Sequence, residues 1–242
     1  MSFLTEVRQT LVPGADTRHG PLPPLLLALT LVTGLVDAFS YLVLGHVFVA
    51  NMTGNVVFLA FALVGAPGFS IAGSAVALAL FWVGALIGGR LGARRGDHRG
   101  RLLHGAVSLQ SIFVAASVGL AALSATPVGS GYRYPLIVLL ALAMGLQNAT
   151  ARKLAVPDLT TTVLTLTIVG TAADSTMVGG KGAGAGRRVL SIVAMFLGAL
   201  IGAVLVVHSG IVVPLVIALV ILVGIGAVML VQWTSDAAWT HP

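Results

Sequence analysis

Residues 34–63 read GLVDAFSYLVLGHVFVANMTGNVVFLAFAL, and this stretch decides how the rest of the chain is interpreted. Polar side chains interrupt it where a membrane protein would otherwise place hydrocarbon: Asp37, Ser40, His46, Asn51, Thr53 and Asn55. An ionisable group such as Asp37 costs a few kcal/mol near the centre of a bilayer even on lenient insertion scales. These polar groups therefore need a structural or a functional reason to be there.

The composition is that of an integral membrane protein. Hydrophobic residues make up 57% and charged residues 8% of the 242 residues, and the mean hydropathy is +1.05. Soluble domains carry about 25% charged residues, so soluble classes are excluded. The length allows roughly six to eight crossings of about 20 residues each, which predicts a single membrane domain over residues 1–242.

The net charge of +6 does not indicate a nucleic-acid partner, because the basic residues are grouped between apolar segments. Two predicted loops hold most of them: Arg90, Arg94, Arg95, Arg99 and Arg101 in the first, and Lys181, Arg187 and Arg188 in the second. Basic loops between apolar helices are typical of the cytoplasmic side of a membrane protein. The pattern predicts a lipid bilayer as partner, with both termini on the cytoplasmic side.

The second half of the chain follows the plan of the first. Residues 145–174, GLQNATARKLAVPDLTTTVLTLTIVGTAAD, match the opening stretch at an offset of 111 residues. The segment VGALIG at 83–88 recurs as LGALIG at 197–202, at an offset of 114 residues. We interpret residues 22–124 as repeat one and 135–233 as repeat two, a duplication of the kind that many transporters contain.

Each repeat is predicted to begin with a helix that breaks and restarts. In repeat one, a helix over 22–44 precedes an extended piece at 46–51 and a short helix at 52–64. In repeat two, a helix over 135–154 breaks at Val156, Pro157 and Asp158 and restarts at Thr160. Non-helical backbone at membrane depth is tolerated only where protein or a water-filled cavity covers it, so both breaks should face inward.

Further spanning helices are predicted over 71–91, 102–123, 188–207 and 211–233. The two repeats carry their basic loops at complementary places, which predicts inverted repeats with an odd number of crossings each. Four apolar segments per repeat would conflict with this, so each broken pair is expected to amount to one net crossing. The predicted fold class is an all-α polytopic transmembrane bundle of two inverted repeats, each with about three net crossings and a broken helix.

At GLVDAFSYLVLGHVFVANMTGN and GLQNATARKLAVPDLTTTVLT the sequence resembles the YoaK family, a group of bacterial inner-membrane proteins defined by a domain of unknown function. The resemblance covers residues 25–230, nearly the whole chain. It implies a polytopic protein of the bacterial cytoplasmic membrane. It carries no substrate or mechanism with it.

The predicted binding residues are the polar side chains at or beside the two broken helices. They are Asp37, Asn51, Thr53, Asn55, Gln147, Asn148, Arg152, Asp158, Thr160, Thr161, Thr162 and Thr165. At such breaks, helix N-termini offer free N–H groups to an anion, and freed carbonyl groups can hold a cation. For any single Ser or Thr, the alternative is a hydrogen bond to the carbonyl group of the preceding turn.

Asp37 and Arg152 each have two interpretations. Asp37 is either a proton-coupling or cation-binding carboxylate, or a structural group that caps the short helix or pairs with Arg152. Arg152 either extends to the membrane interface or, if its break lies near the midplane, pairs with Asp37 or with an anionic substrate. Asn148 takes the place of Asp37 in repeat two, so a site containing both would be asymmetric.

The expected function is secondary transport or export of a small solute or ion, with proton coupling through Asp37 as one form of it. The alternative is a non-transporting structural or regulatory membrane protein whose polar motifs only hold the bundle together. No nucleophile triad or metal-ligand spacing is visible, so neither an enzyme nor a cofactor is expected. Small-xxx-small spacings at Gly84, Gly88 and Gly92 fit packing within one subunit or in a homo-oligomer.

Overall fold

The computed structural model describes residues 3–14, 17–174, 179–180 and 184–241. Within these ranges the chain forms α-helices, one short 3-10 helix at Ala238–Thr240, and no strand. The α-helices are α1 (Phe3–Leu11), α2 (Leu22–Val43), α3 (Met52–Leu63), α4 (Ile71–Arg95), α5 (Arg99–Leu123), α6 (Ser130–Leu154), α7 (Thr165–Ala173), α8 (Ala185–His208) and α9 (Val213–Val231). The predicted all-α fold is confirmed.

Six of the described helices are long and apolar enough to cross a membrane, namely α2, α4, α5, α6, α8 and α9. Three of them come from each half of the chain. Helices α3 and α7 have 12 and 9 residues, and a crossing takes about 20 residues, so neither can span. The predicted multi-pass bundle is confirmed, and the two halves contribute equal numbers of long helices.

Proline, serine and a left-handed residue set several helix boundaries. Pro23 and Pro24 lie in the first turn of α2, where a missing N–H group breaks no helical hydrogen bond. The Ser70 hydroxyl oxygen caps α4 by accepting a hydrogen bond from the Gly73 N–H group at 3.0 Å. Helix α6 ends at Ala155, whose φ of +52° turns the chain out of the helix.

The predicted restart of the second broken helix at Thr160 is wrong, since α7 begins at Thr165. Asp158 and Thr161 between the two helices have φ values of +64° and +66°. A right-handed helix cannot pass through left-handed residues. The non-helical segment is therefore 155–164, longer than the sequence pattern indicates.

The predicted five-arginine loop is also wrong, because these arginines lie mostly on helices. Arg90, Arg94 and Arg95 belong to the end of α4, and Arg99 and Arg101 to the start of α5. Two further points concern α1 and the second basic loop. Helix α1 lies in a region to which the sequence assigned no helix, and Lys181 of the second basic loop lies outside the described residues.

Each half packs its long helices against the other half. Helix α2 lies along α8, and α4 lies along α6. A Cβ atom at Gly84 of α4 would lie 2.2 Å from the carbonyl oxygen of Leu142 in α6, and one at Gly198 of α8 would lie 2.2 Å from that of Leu31 in α2. These residues are related by the sequence offsets of 114 and 111. The same close approach occurs twice, and both times within one chain.

The first long helices of the two halves run in opposite directions. The Arg133 side chain, near the start of α6, lies beside Gly45, just after the end of α2. Further along α6, the Gln147 Nε2 group donates a hydrogen bond to the Thr33 hydroxyl in the middle of α2, at 2.9 Å. Helices α2 and α6 are therefore antiparallel.

Positive charge is concentrated at one end of the bundle, here called the basic end. It contains α1, the starts of α2, α5 and α8, and the ends of α4, α6 and α9; among the described Lys and Arg residues, only Arg133 lies at the opposite end. Burial, followed by the charges of Arg99, Arg187 and Arg18, lowers the pKa of His19 at this end. The positive-inside rule predicts that the basic end is cytoplasmic.

Replacing Gly84 by Ala should destabilise the bundle by about 1–3 kcal/mol, because the new methyl group overlaps the backbone of α6. Gly89→Ala, on the same helix but with no heavy atom within 4 Å of the added Cβ, is the matched control. Thermal unfolding of the purified variants in detergent would measure the difference. Equal midpoints for the two variants would contradict the close packing of α4 on α6.

The orientation can be tested with single cysteines, since the chain contains no native cysteine. Val64 is exposed at the opposite end, and Asp97 is exposed at the basic end. A membrane-impermeant maleimide added to intact spheroplasts should label Val64→Cys and leave Asp97→Cys unlabelled until the cells are opened. The reverse pattern would contradict a cytoplasmic basic end.

Candidate functional site

The carboxylate of Asp37 holds the extended segment that follows α2. Its Oδ1 accepts hydrogen bonds from the N–H groups of Val49 at 3.1 Å and Ala50 at 2.8 Å, and its Oδ2 accepts one from Asn51 at 3.1 Å. Buried N–H groups without a partner destabilise a structure by about as much as a lost hydrogen bond. Asp37 thus supplies the acceptors that a neighbouring strand would supply in a sheet.

Asn55 fixes the same segment against the first turn of α3. Its Oδ1 accepts a hydrogen bond from the Phe48 N–H group at 3.0 Å, and its Nδ2 donates to the Phe48 carbonyl oxygen at 2.6 Å. The Asn55 side chain is fully buried. Segment 46–51 and α3 therefore form one unit, called here the first hairpin.

The first hairpin enters the bundle from the opposite end and returns to it. Asp37 lies six residues before the last residue of α2, hence about 9 Å below the end of that helix. At the mouth of the hairpin, Nδ1 of His46 donates a hydrogen bond to the carbonyl oxygen of Gly68, at 2.9 Å. Because the hairpin begins and ends at the same end, α2 and the hairpin together traverse the bundle once.

The second hairpin comprises residues 155–164 and α7, and different side chains hold its tip. Asn148, at the position of Asp37 in the second half, accepts a hydrogen bond through Oδ1 from the Thr162 hydroxyl group. The neighbouring Thr161 side chain is buried, and its hydroxyl group has no hydrogen-bond partner among the described residues. The tip of the second hairpin is thus held by one hydrogen bond between side chains, whereas Asp37 holds the tip of the first hairpin through three backbone N–H groups.

The mouth of the second hairpin is tied by Arg188, in the first turn of α8. Its Nε lies 2.8 Å from Oδ1 of Asp158, before α7, and its Nη1 lies 2.7 Å from Oδ2 of Asp174, after α7. The same Nη1 donates to the Gly170 carbonyl oxygen at 2.6 Å. Since α8 starts at the basic end, the second hairpin opens there, opposite to the first.

The tips of the two hairpins meet at one cavity of about 650 Å³, called here the central cavity. Its polar lining consists of neutral side chains from both halves: Asn51 and Thr53 of the first hairpin, Asn148 of α6, and Thr162 and Thr165 of the second hairpin. No described residue that lines it is charged. The side chains of Asn51 and Thr53 make no hydrogen bond to other described residues, so they are available to a ligand.

The apolar lining of the central cavity is also contributed by both halves. Phe81 of α4 and Met195 of α8 both line it, and these residues are related by the offset of 114 residues. Phe58 of α3 and Ile168 of α7 add further apolar surface. The cavity combines a few hydrogen-bonding groups with a larger apolar wall, as small-molecule sites in proteins commonly do.

A second cavity of about 580 Å³ adjoins the central one. The two share Phe81, Asn148 and Val163 as lining residues. Arg152 and Thr160 line only the second cavity, near the end of α6. The second cavity, which is lined by α4, α6 and the second hairpin, thus extends from the central cavity toward the basic end.

Five of the predicted binding residues line neither cavity: Asp37, Asn55, Gln147, Asp158 and Thr161. Gln147 is buried, and its Oε1 accepts a hydrogen bond from Gln110 Nε2 at 2.7 Å while its Nε2 donates to Thr33. This network joins α2, α5 and α6. These five residues belong to the hairpins or to the interior of the bundle, and the remaining seven predicted residues line the two cavities.

The ion pair between Asp37 and Arg152, one of the two structural roles predicted for Asp37, is not formed. The only ion pairs among the described residues are those of Arg188. Arg152 is exposed at the basic end, next to Lys153, whose aliphatic stem packs against Gly92. This placement agrees with the interpretation of Arg152 as an interfacial residue that also borders the second cavity.

Sequence reasoning missed Phe81, Met195 and Gln110. The first two lie two residues before the recurring VGALIG and LGALIG segments, so the offset of 114 residues could have paired them. Gln110 is the single amide side chain within α5. A lone amide in a spanning helix is a signal for an interhelical hydrogen bond.

Comparisons with known proteins give a family and no activity. The family described as "Protein of unknown function (DUF1275)" matches residues 25–228. A Bacillus subtilis (strain 168) protein described as "UPF0700 transmembrane protein YoaK" is 34% identical over 152 residues, which cover 62% of this chain and 65% of that protein, just under two thirds of its length. No solved structure is significantly similar to the chain. With a family match over most of its length and six helices able to cross a membrane, this chain belongs to the YoaK (DUF1275) family of multi-pass membrane proteins.

Proposed function

We propose that this protein is a secondary transporter or exporter of a small solute, acting in the bacterial cytoplasmic membrane, and that the solute binds in the central cavity. One observation carries the proposal: two hairpins, one from each half, open at opposite ends of the bundle and line the same cavity. Many transporters place the solute site between two repeats, at discontinuous helices. A carrier needs access to its site from both sides, and each hairpin stands between the cavity and one end.

We further propose that the two halves are inverted repeats. The antiparallel course of α2 and α6 supports this, as does the recurrence of the Gly84–Leu142 contact as Gly198–Leu31. Inverted repeats supply two related conformations, because either half can take the arrangement that the other half has. In such a carrier, one hairpin opens while the other remains closed.

The lining of the central cavity supports a neutral, partly apolar organic solute. A volume of about 650 Å³ falls within the roughly 300–1,000 Å³ of small-molecule sites. Asn51, Thr53 and Asn148 offer neutral hydrogen-bonding groups, while Phe81 and Met195 offer apolar surface. A multiply charged ion would find no opposite charge among the described lining residues.

Asp37 acts in this proposal as a positioning residue. The three hydrogen bonds that its carboxyl oxygens accept fix the tip of the first hairpin, where Asn51 faces the cavity. Proton coupling through Asp37 stays a prediction from the sequence. The two roles make opposite predictions for the neutral variant, because a proton-carrying carboxylate tolerates neutralisation structurally and a hydrogen-bond acceptor for three N–H groups does not.

Asp37→Asn should lower the free energy of unfolding by about 1–3 kcal/mol, since the amide group replaces one acceptor oxygen by a donor and leaves a buried N–H group unpaired. Asp236→Asn, at an exposed carboxylate that forms no hydrogen bond or ion pair with a described residue, is the matched control. Thermal unfolding in detergent measures both. An Asp37→Asn protein as stable as the control would contradict the positioning role and favour a proton-carrying one.

The alternative function is a structural or regulatory membrane protein without transport. It is favoured by the hydrogen bonds of Asp37 and Gln147, which join segments of the bundle, and by the fact that neither residue lines the central or the second cavity. In a protein without transport, we expect both hairpins to stay closed. Access to the cavity from the two sides of the membrane therefore separates the two functions.

A cysteine at Thr53 or Thr165 should be accessible from both sides of the membrane if the protein is a carrier. Both residues line the central cavity, one on each hairpin. We expect a membrane-impermeant maleimide to label each single-cysteine variant when it is added to spheroplasts and when it is added to inside-out vesicles. Alternating exposure produces labelling from either side because each conformation opens the cavity to one of them.

Two references calibrate this labelling. Val64→Cys should react from one side only, and Leu200→Cys, on an exposed apolar face of α8 outside the cavities, should react from neither. If the variants at Thr53 and Thr165 also react from a single side, the hairpins do not alternate and the structural function is favoured. Adding Asp37→Asn to the Thr53→Cys protein should speed its labelling, because the hairpin tip is released.

A further inference from the structure

The arginines where α4 meets α5 form no ion pair with a described acidic side chain. They are Arg90, Arg94, Arg95, Arg99 and Arg101. None of them takes part in an ion pair within the described residues, where both ion pairs involve Arg188. The only acidic side chain among them is Asp97, in the turn between the helices. The junction of α4 and α5 therefore has an excess of positive charge at the predicted cytoplasmic surface.

A groove of about 340 Å³ between α4 and α5 begins at these arginines. Arg90, Arg94 and Arg95 line its upper part and are all exposed. Below them the lining is apolar, with Ile87 and Leu109 among its residues. Ile87 lies eight residues before Arg95 on α4, hence about 12 Å deeper along the helix. The groove is thus cationic at the membrane surface and apolar at membrane depth.

A second groove of about 310 Å³ continues the first and shares Arg94 and Arg95 with it. Trp233 lines it. The centroid of the Trp233 ring lies 6.0 Å from the guanidinium carbon of Arg95 and 5.8 Å from that of Arg101. Arg101 Nε also donates a hydrogen bond to the Trp233 carbonyl oxygen at 3.0 Å. Tryptophan is enriched at the membrane interface, which places this groove at the depth of lipid headgroups.

We propose that the groove between α4 and α5 binds an anionic phospholipid. Arg94 and Arg95 hold the headgroup phosphate, since guanidinium groups form charge-assisted hydrogen bonds with phosphate oxygens. One acyl chain follows Leu91 and Leu109 down the groove. Basic pockets between transmembrane helices on the cytoplasmic side have the chemistry that anionic headgroups require. The site lies apart from the central and the second cavity, and its lining shares no residue with them.

The test uses the full chain, purified in detergent and titrated with phosphatidylglycerol or phosphatidylcholine, with bound lipid counted by native mass spectrometry. The Arg94→Gln/Arg95→Gln protein should bind phosphatidylglycerol roughly 25-fold more weakly than the unaltered chain, as expected for the loss of two lipid-facing charges. Arg8→Gln/Arg18→Gln removes the same charge from exposed positions at the same end and outside the grooves, and should change binding less than twofold. Equal losses in the two double variants would mean general surface attraction and would overturn the proposal.

Two further measurements separate a lipid site from a site for free phosphate. Leu109→Trp fills the lower part of the groove without altering its charge, and should also weaken binding of phosphatidylglycerol. Its thermal midpoint without lipid establishes that it folds. Inorganic phosphate should neither bind at this position nor compete with the lipid. Undiminished lipid binding by a folded Leu109→Trp protein, or competition by inorganic phosphate, would overturn the acyl-chain part of the proposal and leave only an anion site.

Discussion

The structure depends on the requirement that backbone N–H groups inside a bilayer find acceptors within the protein. Where the chain leaves α2 and turns back into the bundle, it has neither a helix nor a strand to provide them. The carboxylate of Asp37 provides them for three successive residues, and Asn55 does so for a fourth. Unpaired N–H groups at a break in a membrane helix would destabilise the protein. Here they are paired, and the segment has a defined conformation beside the central cavity.

The two halves meet this requirement differently. The first hairpin is fixed at its tip by the carboxylate of Asp37 and at its mouth by one hydrogen bond of His46. The second is fixed at its tip by one contact between neutral side chains, Asn148 and Thr162, and at its mouth by two ion pairs of Arg188. Hydrogen bonds to charged groups are about twice as strong as neutral ones. The strong attachments of the two hairpins therefore lie at different depths, despite the similar courses of the chain.

Much of this arrangement follows from local sequence signals. Apolar runs, prolines and the glycine at 45 define α2, α4 and the first hairpin, and the polar clusters mark which breaks face a cavity. The start of α7 could not be predicted, because Asp158, which pairs with Arg188 of α8, and Thr161 both have left-handed conformations. Threonine rarely adopts such a conformation. The arginines at the end of α4 continue the helix because arginine has a high helix propensity, although grouped charges between apolar segments are typical of loops. That the Asp37 carboxylate accepts hydrogen bonds from backbone N–H groups depends on the direction of its side chain, which sequence spacing does not determine.

The crosswise packing of the halves affects how the chain is made. Helix α2 is inserted early, yet the surface around Gly34 that fits so closely against Met195 and Ala199 has no partner until α8 emerges from the ribosome. Until then, lipid must cover a surface of small residues shaped for another helix. A nascent chain interrupted after α5 therefore holds unfilled seams on both α2 and α4, the kind of defect by which membrane quality control distinguishes unfinished proteins from complete ones.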